Sequence, residues 1–280
     1  MRDPRYLLLA AVLVAVCTPP AFAKTDTASR AGVTASLSYQ ESGIGFRNVR
    51  IRVQRQGAQL VNERGPRFSR CSVACEFWPA NARAGESSIF VRHLDLDPEL
   101  EVLAEFFTRG ANCCLASRIY DFDPLRNTYA RLDREWETRA HRGALDLDRD
   151  GSAEFVSADA RFAGRYGCVA CTPQPVRVFQ LRDGGLRDVT RSFPGQVKSD
   201  LRDLIRLYRR ARNEPLAARG VLAALTAERY LLDRGRVARR GLERSLARGE
   251  LRGVRADGSP SGRAYVRSLL RFLLRAGYRR

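Results

Sequence analysis

The chain has 280 residues, 44% of them hydrophobic and 29% charged, with a formal net charge of +18. That length suits one large domain or two modest ones, and after the first two dozen residues no segment is long and apolar enough to cross a bilayer as a helix. Nearly all the cations are arginine, Lys24 and Lys198 being the only lysines, so the charge is weak evidence for nucleic acid as a partner.

The first residues read as an export signal. Arg2 and Arg5 give a positive start, residues 7–16 an apolar stretch, and Ala21-Phe22-Ala23 the small residues of a cleavage site. The apolar stretch is about ten residues, too short to span a membrane comfortably. A signal peptide over residues 1–23 is expected to be removed after Ala23, leaving a chain that is secreted or held at the cell surface.

Residues 24–32 are small and polar and read as a loose N-terminus. From Val33 the pattern turns short and alternating, at residues 33–39 and 49–53, which argues strands with one buried face. Residues 42–45 and the pair Gln56-Gly57 supply turns. Residues 24–84 are thus an expected N-terminal β region.

Beyond Cys17 the cysteines are Cys71, Cys75, Cys113, Cys114, Cys168 and Cys171. An even count behind an export signal favours disulfides, and six cysteines allow fifteen pairings. The favoured arrangements join Cys71 to Cys75 or to one of the adjacent pair, and Cys168 to Cys171 or to the other. Cys113 and Cys114 are poor partners for each other, because so short a link strains the bond. Cys168 and Cys171 also have thiol-redox spacing, but glycine and proline surround them in what reads as a loop, where the redox motif uses a helix start. Structural zinc is disfavoured for thiols that meet an oxidising compartment first.

An internal repeat spans residues 85–195. Ile89, Val91 and Leu94 enter an acidic loop, and a cysteine pair and a hairpin follow, with its turn at residues 123–127. The same order recurs from Leu145, with Cys168 and Cys171 and a second hairpin turning at residues 183–185. After Pro194 helical spacing takes over. Leu201, Leu204, Ile205 and Tyr208 follow a candidate N-cap at Ser199, and a second helix starts at Pro215 and ends near Gly235. A third covers residues 237–248, and Val266, Leu269, Leu270 and Leu273 form a fourth stripe stopped by Gly277. This region, 196–280, holds 22 basic and 8 acidic side chains. The fold class expected is α+β, an N-terminal β-rich part and a small C-terminal helical bundle.

The sharpest chemistry lies in Asp146-Leu147-Asp148-Arg149-Asp150-Gly151-Ser152-Ala153-Glu154. A tightly curved loop turns positions one, three and five inward, glycine at six relieves the bend, and the Ser152 carbonyl and Glu154 can complete a shell of hard oxygens for calcium. Carboxylates this close repel one another, and a divalent ion removes that cost. The loop is not an EF-hand, because Ser157 stands at position twelve and the flanks read as strands. The earlier copy is weaker. It has His93 at position one, Asp95 and Asp97 at three and five, Pro98 where glycine belongs, and Glu101 closing.

These loops resemble those of FG-GAP or VCBS-type repeats, the blade units of integrin-α-like β-propellers. With Cys113-Cys114 after Gly110, the chain is similar to a group of exported bacterial proteins that carry such repeats. The resemblance covers roughly residues 85–195. It implies blade-like units, a structural calcium ion at Asp146, Asp148, Asp150 and Glu154, and no catalysis. Two units are too few for a closed propeller. His93 and His141 are the only histidines and read as surface or turn residues, and no phosphate loop, dinucleotide fingerprint or zinc-protease helix is present. The expectation is a non-enzymatic exported calcium-binding protein that presents a surface to an extracellular protein. The alternatives are an envelope-associated hydrolase with a structural ion and a protein that docks anionic cell-wall polymer.

Overall fold

Every second side chain from Val33 to Tyr39 is buried, and this run is the second strand of an antiparallel meander. The computed structural model describes residues 23–43, 45–66, 77–107, 115–136, 143–167, 172–253 and 260–279. β1 (Ala23–Arg30), β2 (Val33–Ser42), β3 (Gly45–Arg55) and β4 (Ala58–Arg64) form a first sheet in chain order. β1 occupies residues expected to be loose. Its small polar side chains hide a strand because an edge strand is held by its ladder, here from Ala23↔Gln40 to Arg30↔Val33. Asp26 anchors it further, accepting from the Tyr39 hydroxyl at 3.2 Å and the Ser88 amide at 3.1 Å. Gln56 and Gly57 both take positive φ, the conformation of a two-residue hairpin turn, and so join β3 to β4.

The second sheet contains β5 (Trp78–Pro79), β6 (Ile89–Arg92), β7 (Glu101–Phe107), β8 (Leu115–Asp123) and β9 (Thr128–Glu135), with β5 and β6 both on β7. The third contains β10 (Ala144–Leu145), β11 (Glu154–Ala158), β12 (Val176–Arg182) and β13 (Gly185–Asp188) in chain order. Both expected hairpins are present, as β8–β9 and β12–β13.

The sheets stack in chain order, as the strand periodicity shows. Along β7, Val102, Ala104 and Phe106 join a core with the first sheet, while Leu103 faces the other way. There, Leu103 and Ile119 meet Phe155 and Leu181 of the third sheet around Trp136. The third sheet turns Val156 and Val176 to the helices. Among the described residues the sheets close into neither a barrel nor a propeller.

The helices are α1 (Pro194–Ala211), α2 (Pro215–Leu231), α3 (Gly235–Ala247) and α4 (Gly262–Arg275). α1 starts five residues before the expected Ser199 cap, because Pro194 has the φ of a first helical turn and no amide to satisfy. α2 is not amphipathic. Residues 218–228 are all buried, so it is the centre about which the other elements pack. Gly220 permits the approach of the segment that leads into β12, since a Cβ there would lie 2.8 Å from Thr172 Oγ1. Strands first and helices last is the order expected, but the helices share their core with the third sheet.

Candidate metal centre

The loop between β10 and β11 is shaped by its own carboxylates. Asp146 accepts from the Arg149 amide at 2.7 Å and the Gly151 amide at 3.3 Å, which curls the chain through Arg149 and Gly151 at φ of 66° and 97°. Asp150 accepts from the Ser152 amide at 2.9 Å and its hydroxyl at 2.8 Å, and these bonds hold its carboxyl below the ordinary value. Glu154 opens β11 and is buried, with Oε2 accepting from the Leu147 amide at 2.8 Å. The carboxylate oxygens of Asp146, Asp148 and Glu154 lie within 4.8 Å of one another. Burial raises the pKa of Glu154, and the charges of Asp148 and Asp150 add to it, against the hydrogen bonds from Leu147 and Gln180.

The loop between β6 and β7 repeats this design. Glu101 opens β7 and is buried, and its Oε2 accepts from the Leu94 amide at 2.6 Å, the same seven-residue return that Glu154 makes to Leu147. His93 directly follows β6 and is half-buried, its Nδ1 2.8 Å from the Glu99 carbonyl. Asp95 accepts from the Asp97 amide at 3.0 Å and Asp97 from the Glu99 amide at 2.8 Å. Pro98 replaces the glycine, so this loop lacks the positive φ of its sibling.

Asp95 and Asp97 come together with Asp121 of β8, all within 4.8 Å, a residue that sequence reasoning missed. Val102 pairs with Tyr120 across β7 and β8, which sets the next residue, Asp121, across from Glu101. In the other unit Glu154 pairs with Gln180. Strand register thus places Asp121 where the other loop has Gln180. Gln180 donates to Glu154 Oε1 at 2.5 Å, whereas Glu101 Oε1 meets no hydrogen-bond donor among the described residues. Burial, reinforced by Asp95, Asp97 and Asp121, pushes Glu101 up to about 8. Burial likewise pushes Asp121 up to about 6, with Asp95, Asp97 and Asp123 adding their charges.

The donors at both loops are oxygens, the chemistry that calcium and magnesium take and soft metals do not. The orphaned Glu101 Oε1 and the crowded carboxylates fit such an ion. Cys71, Cys75, Cys113, Cys114, Cys168, Cys171 and His141 lie outside the described residues. Apart from the loops, α4 carries exposed arginines at 263, 267, 271 and 275 and no acidic residue. No described helix is long and apolar enough to cross a membrane.

No family model and no solved structure matches the chain. Over 101 residues the chain is 27% identical to a probable thylakoid lumen protein of Synechocystis sp.. That match covers 36% of this chain and 30% of the relative, so the chain spans less than a third of the relative's length.

Proposed function

We propose that this is an exported, non-catalytic calcium-binding protein built on blade-like FG-GAP/VCBS-type units, in which the ion rigidifies a surface for an extracellular partner. The observation that carries the reading is the convergence of Asp146, Asp148 and Glu154 within 4.8 Å on a loop bent by its own aspartates. The face-to-face stacking of successive antiparallel meanders supports the blade-like description. A relative named for the thylakoid lumen, a compartment reached by export, supports the location. The test is a thermal melt of the oxidised mature protein with and without millimolar calcium. The midpoint rises with calcium, and Asp148→Ala removes the part of the rise that belongs to this loop. An unchanged calcium response in Asp148→Ala would refute binding there. Turnover on a panel of polysaccharide, ester and peptide substrates would favour the hydrolase instead.

One observation favours the polymer-docking reading. Arg263, Arg267, Arg271 and Arg275 recur every fourth residue along α4, where like charges at this spacing repel. An anionic wall polymer would relieve that repulsion. Retention on wall material should then fall steeply with salt, and salt-independent retention would reject it.

A further inference from the structure

We propose that the junction of α2 and α3 is a binding site for a terminal phosphate group, held between the guanidinium groups of Arg229, Arg234 and Arg244. The proposal is independent of calcium binding at the acidic loops and of the arginines on α4.

Two observations carry it. The first is the seat of Arg229, in the last turn of α2. The residue is half-buried, and its Nη1 lies so close to α3 that a Cβ on the buried Gly241 would be 2.5 Å from it. Glycine inside a helix is destabilising, so α3 gives up helix stability to admit a charged group. The second is what surrounds that group. Burial depresses the Arg229 pKa, and the charges of Arg244 and Arg234 add to this against the Tyr208 hydroxyl. A charge withdrawn from water is ordinarily paired, yet among the described residues no carboxylate pairs with this one.

The acids at this end of α2 and beyond α3 are committed elsewhere. Glu228 accepts from the Val176 amide at 2.9 Å, and Asp233 lies 3.1 Å from Arg191. Glu250 accepts from Arg248 at 2.7 and 3.0 Å and from the Tyr208 hydroxyl at 2.5 Å. Arg244 is anchored through Nε to the Arg240 carbonyl at 3.3 Å. It also lines an open depression of about 550 Å³ with Val237, Arg240, Glu243 and Ala247, so it is reached from solvent. Glu243 is the one acid in that described lining, and the arginines outnumber it. A guanidinium fork matches the geometry of oxyanions. A carboxylate would bring a single charge, whereas a terminal phosphate brings close to two and three strong acceptor oxygens, one for each arginine.

The test is equilibrium dialysis of the full mature, oxidised chain with radioactive inorganic phosphate. Ionic strength is held constant and chelator is present, so that calcium at the acidic loops takes no part. The proposal expects one saturable phosphate. Arg229→Met, which keeps an apolar stem and removes the charge, should weaken binding about tenfold or more, the worth of a hydrogen bond to a charged group. Arg244→Gln should do likewise, and because Arg244 is exposed this variant decides the matter even if Arg229→Met fails to fold. Arg267→Gln on α4 should leave binding unchanged. Glycerol 3-phosphate, a terminal monoester, should displace the ion, whereas glycerophosphocholine, a diester like those of lipids and wall polymers, should not. The proposal is overturned if no saturable phosphate binds or if Arg244→Gln binds like the parent. It is equally overturned if Arg267→Gln weakens binding as much as Arg244→Gln, or if the diester competes as well as the monoester.

Discussion

The hydroxyl of Tyr278 donates to Asp159 Oδ2 at 2.8 Å, joining the last turn of the chain to the end of the third sheet across 119 residues of sequence. Asp159 also accepts from the Arg161 amide at 3.1 Å and from its guanidinium at 2.8 and 2.5 Å, with Arg177 3.5 Å away. Burial alone would raise this carboxyl, but Arg161, Tyr278 and Arg177 outweigh it and hold the pKa below the ordinary value of 3.8. A depressed carboxyl contributes stability that is fully present above its unfolded pKa and is lost as pH falls through the folded one. Tyr278→Phe should therefore cost about 1–3 kcal/mol at neutral pH, since it removes a hydrogen bond to a buried charge. Asp159→Asn should flatten the acid limb below about pH 4. Urea unfolding at neutral pH and at pH 3 measures both, and an Asp159→Asn acid limb as steep as the parent's would assign the acid sensitivity elsewhere.

Glu228 points the other way. It is buried in α2, its Oε1 accepts from the Val176 amide at 2.9 Å, and burial together with Asp200 of α1 pushes it up to about 10. The folded protein thus holds Glu228 neutral, with the proton available for Asp200. For a raised pKa, stability is fully present below the unfolded value of 4.5 and declines as pH rises toward the folded one. Glu228→Gln keeps an acceptor for Val176 and a donor for Asp200 without the proton. The variant should match the parent near pH 4 and exceed its melting temperature at pH 8. Equal melting temperatures at pH 8 would mean that no ionisation penalty is carried there.

Trp136 holds the second and third sheets together. Its ring stacks on Phe155 with centroids 5.6 Å apart and tilts against Phe179, and its Nε1 donates to the buried Ser117 Oγ at 2.8 Å. Removing it opens a cavity and strands a buried hydroxyl, so Trp136→Ala should cost about 3–5 kcal/mol. Trp136→Phe, which keeps most of the volume, should cost less. Denaturant unfolding of the two variants checks the order; both lose the bond to Ser117, so a reversed order would show that ring packing between the sheets does not stabilise them.

Periodicity made the strands and helices legible wherever one face is buried. Val33 to Tyr39 in β2 and Val266 to Leu273 in α4 are readable because burial alternates at a strand or helix period. β1 was not readable, since its order comes from a partner strand and from Asp26 contacts with Tyr39 and Ser88. α2 was legible from Pro215 at its start, but its central position was not, because a helix buried on every side leaves no amphipathic stripe. At the site, spacing alone pointed to Asp146, Asp148 and Glu154 and to Asp95 and Asp97, which the fold gathers, whereas Asp150 and Glu101 stand outside those two groups. Asp121 was not legible, because what makes it a neighbour of Asp95 and Asp97 is the register between β7 and β8. The glycine-for-proline difference between the loops drew attention to the motif, while the difference that bears on buried charge lies in Gln180 and Asp121.

That difference yields a prediction within the second loop itself. Gln180 bridges Arg182 and Glu154, donating to the Glu154 carboxylate, so the network around Glu154 is closed by protein atoms. Gln180→Glu removes the donor and adds a carboxyl beside a buried one, reproducing in this unit the chemistry of Asp121 and Glu101. In calcium-free buffer the variant should lose about 1–3 kcal/mol, the penalty for leaving a buried polar group unsatisfied. Added calcium should then raise its melting temperature by more than it raises the parent's, because the ion now relieves a repulsion that the parent lacks. Differential scanning calorimetry at matched pH, with chelator and with millimolar calcium, reads both quantities. A loss of stability that calcium does not recover would separate Glu154 from the ion and leave it as a strand-opening residue whose role is to hold the Leu147 amide.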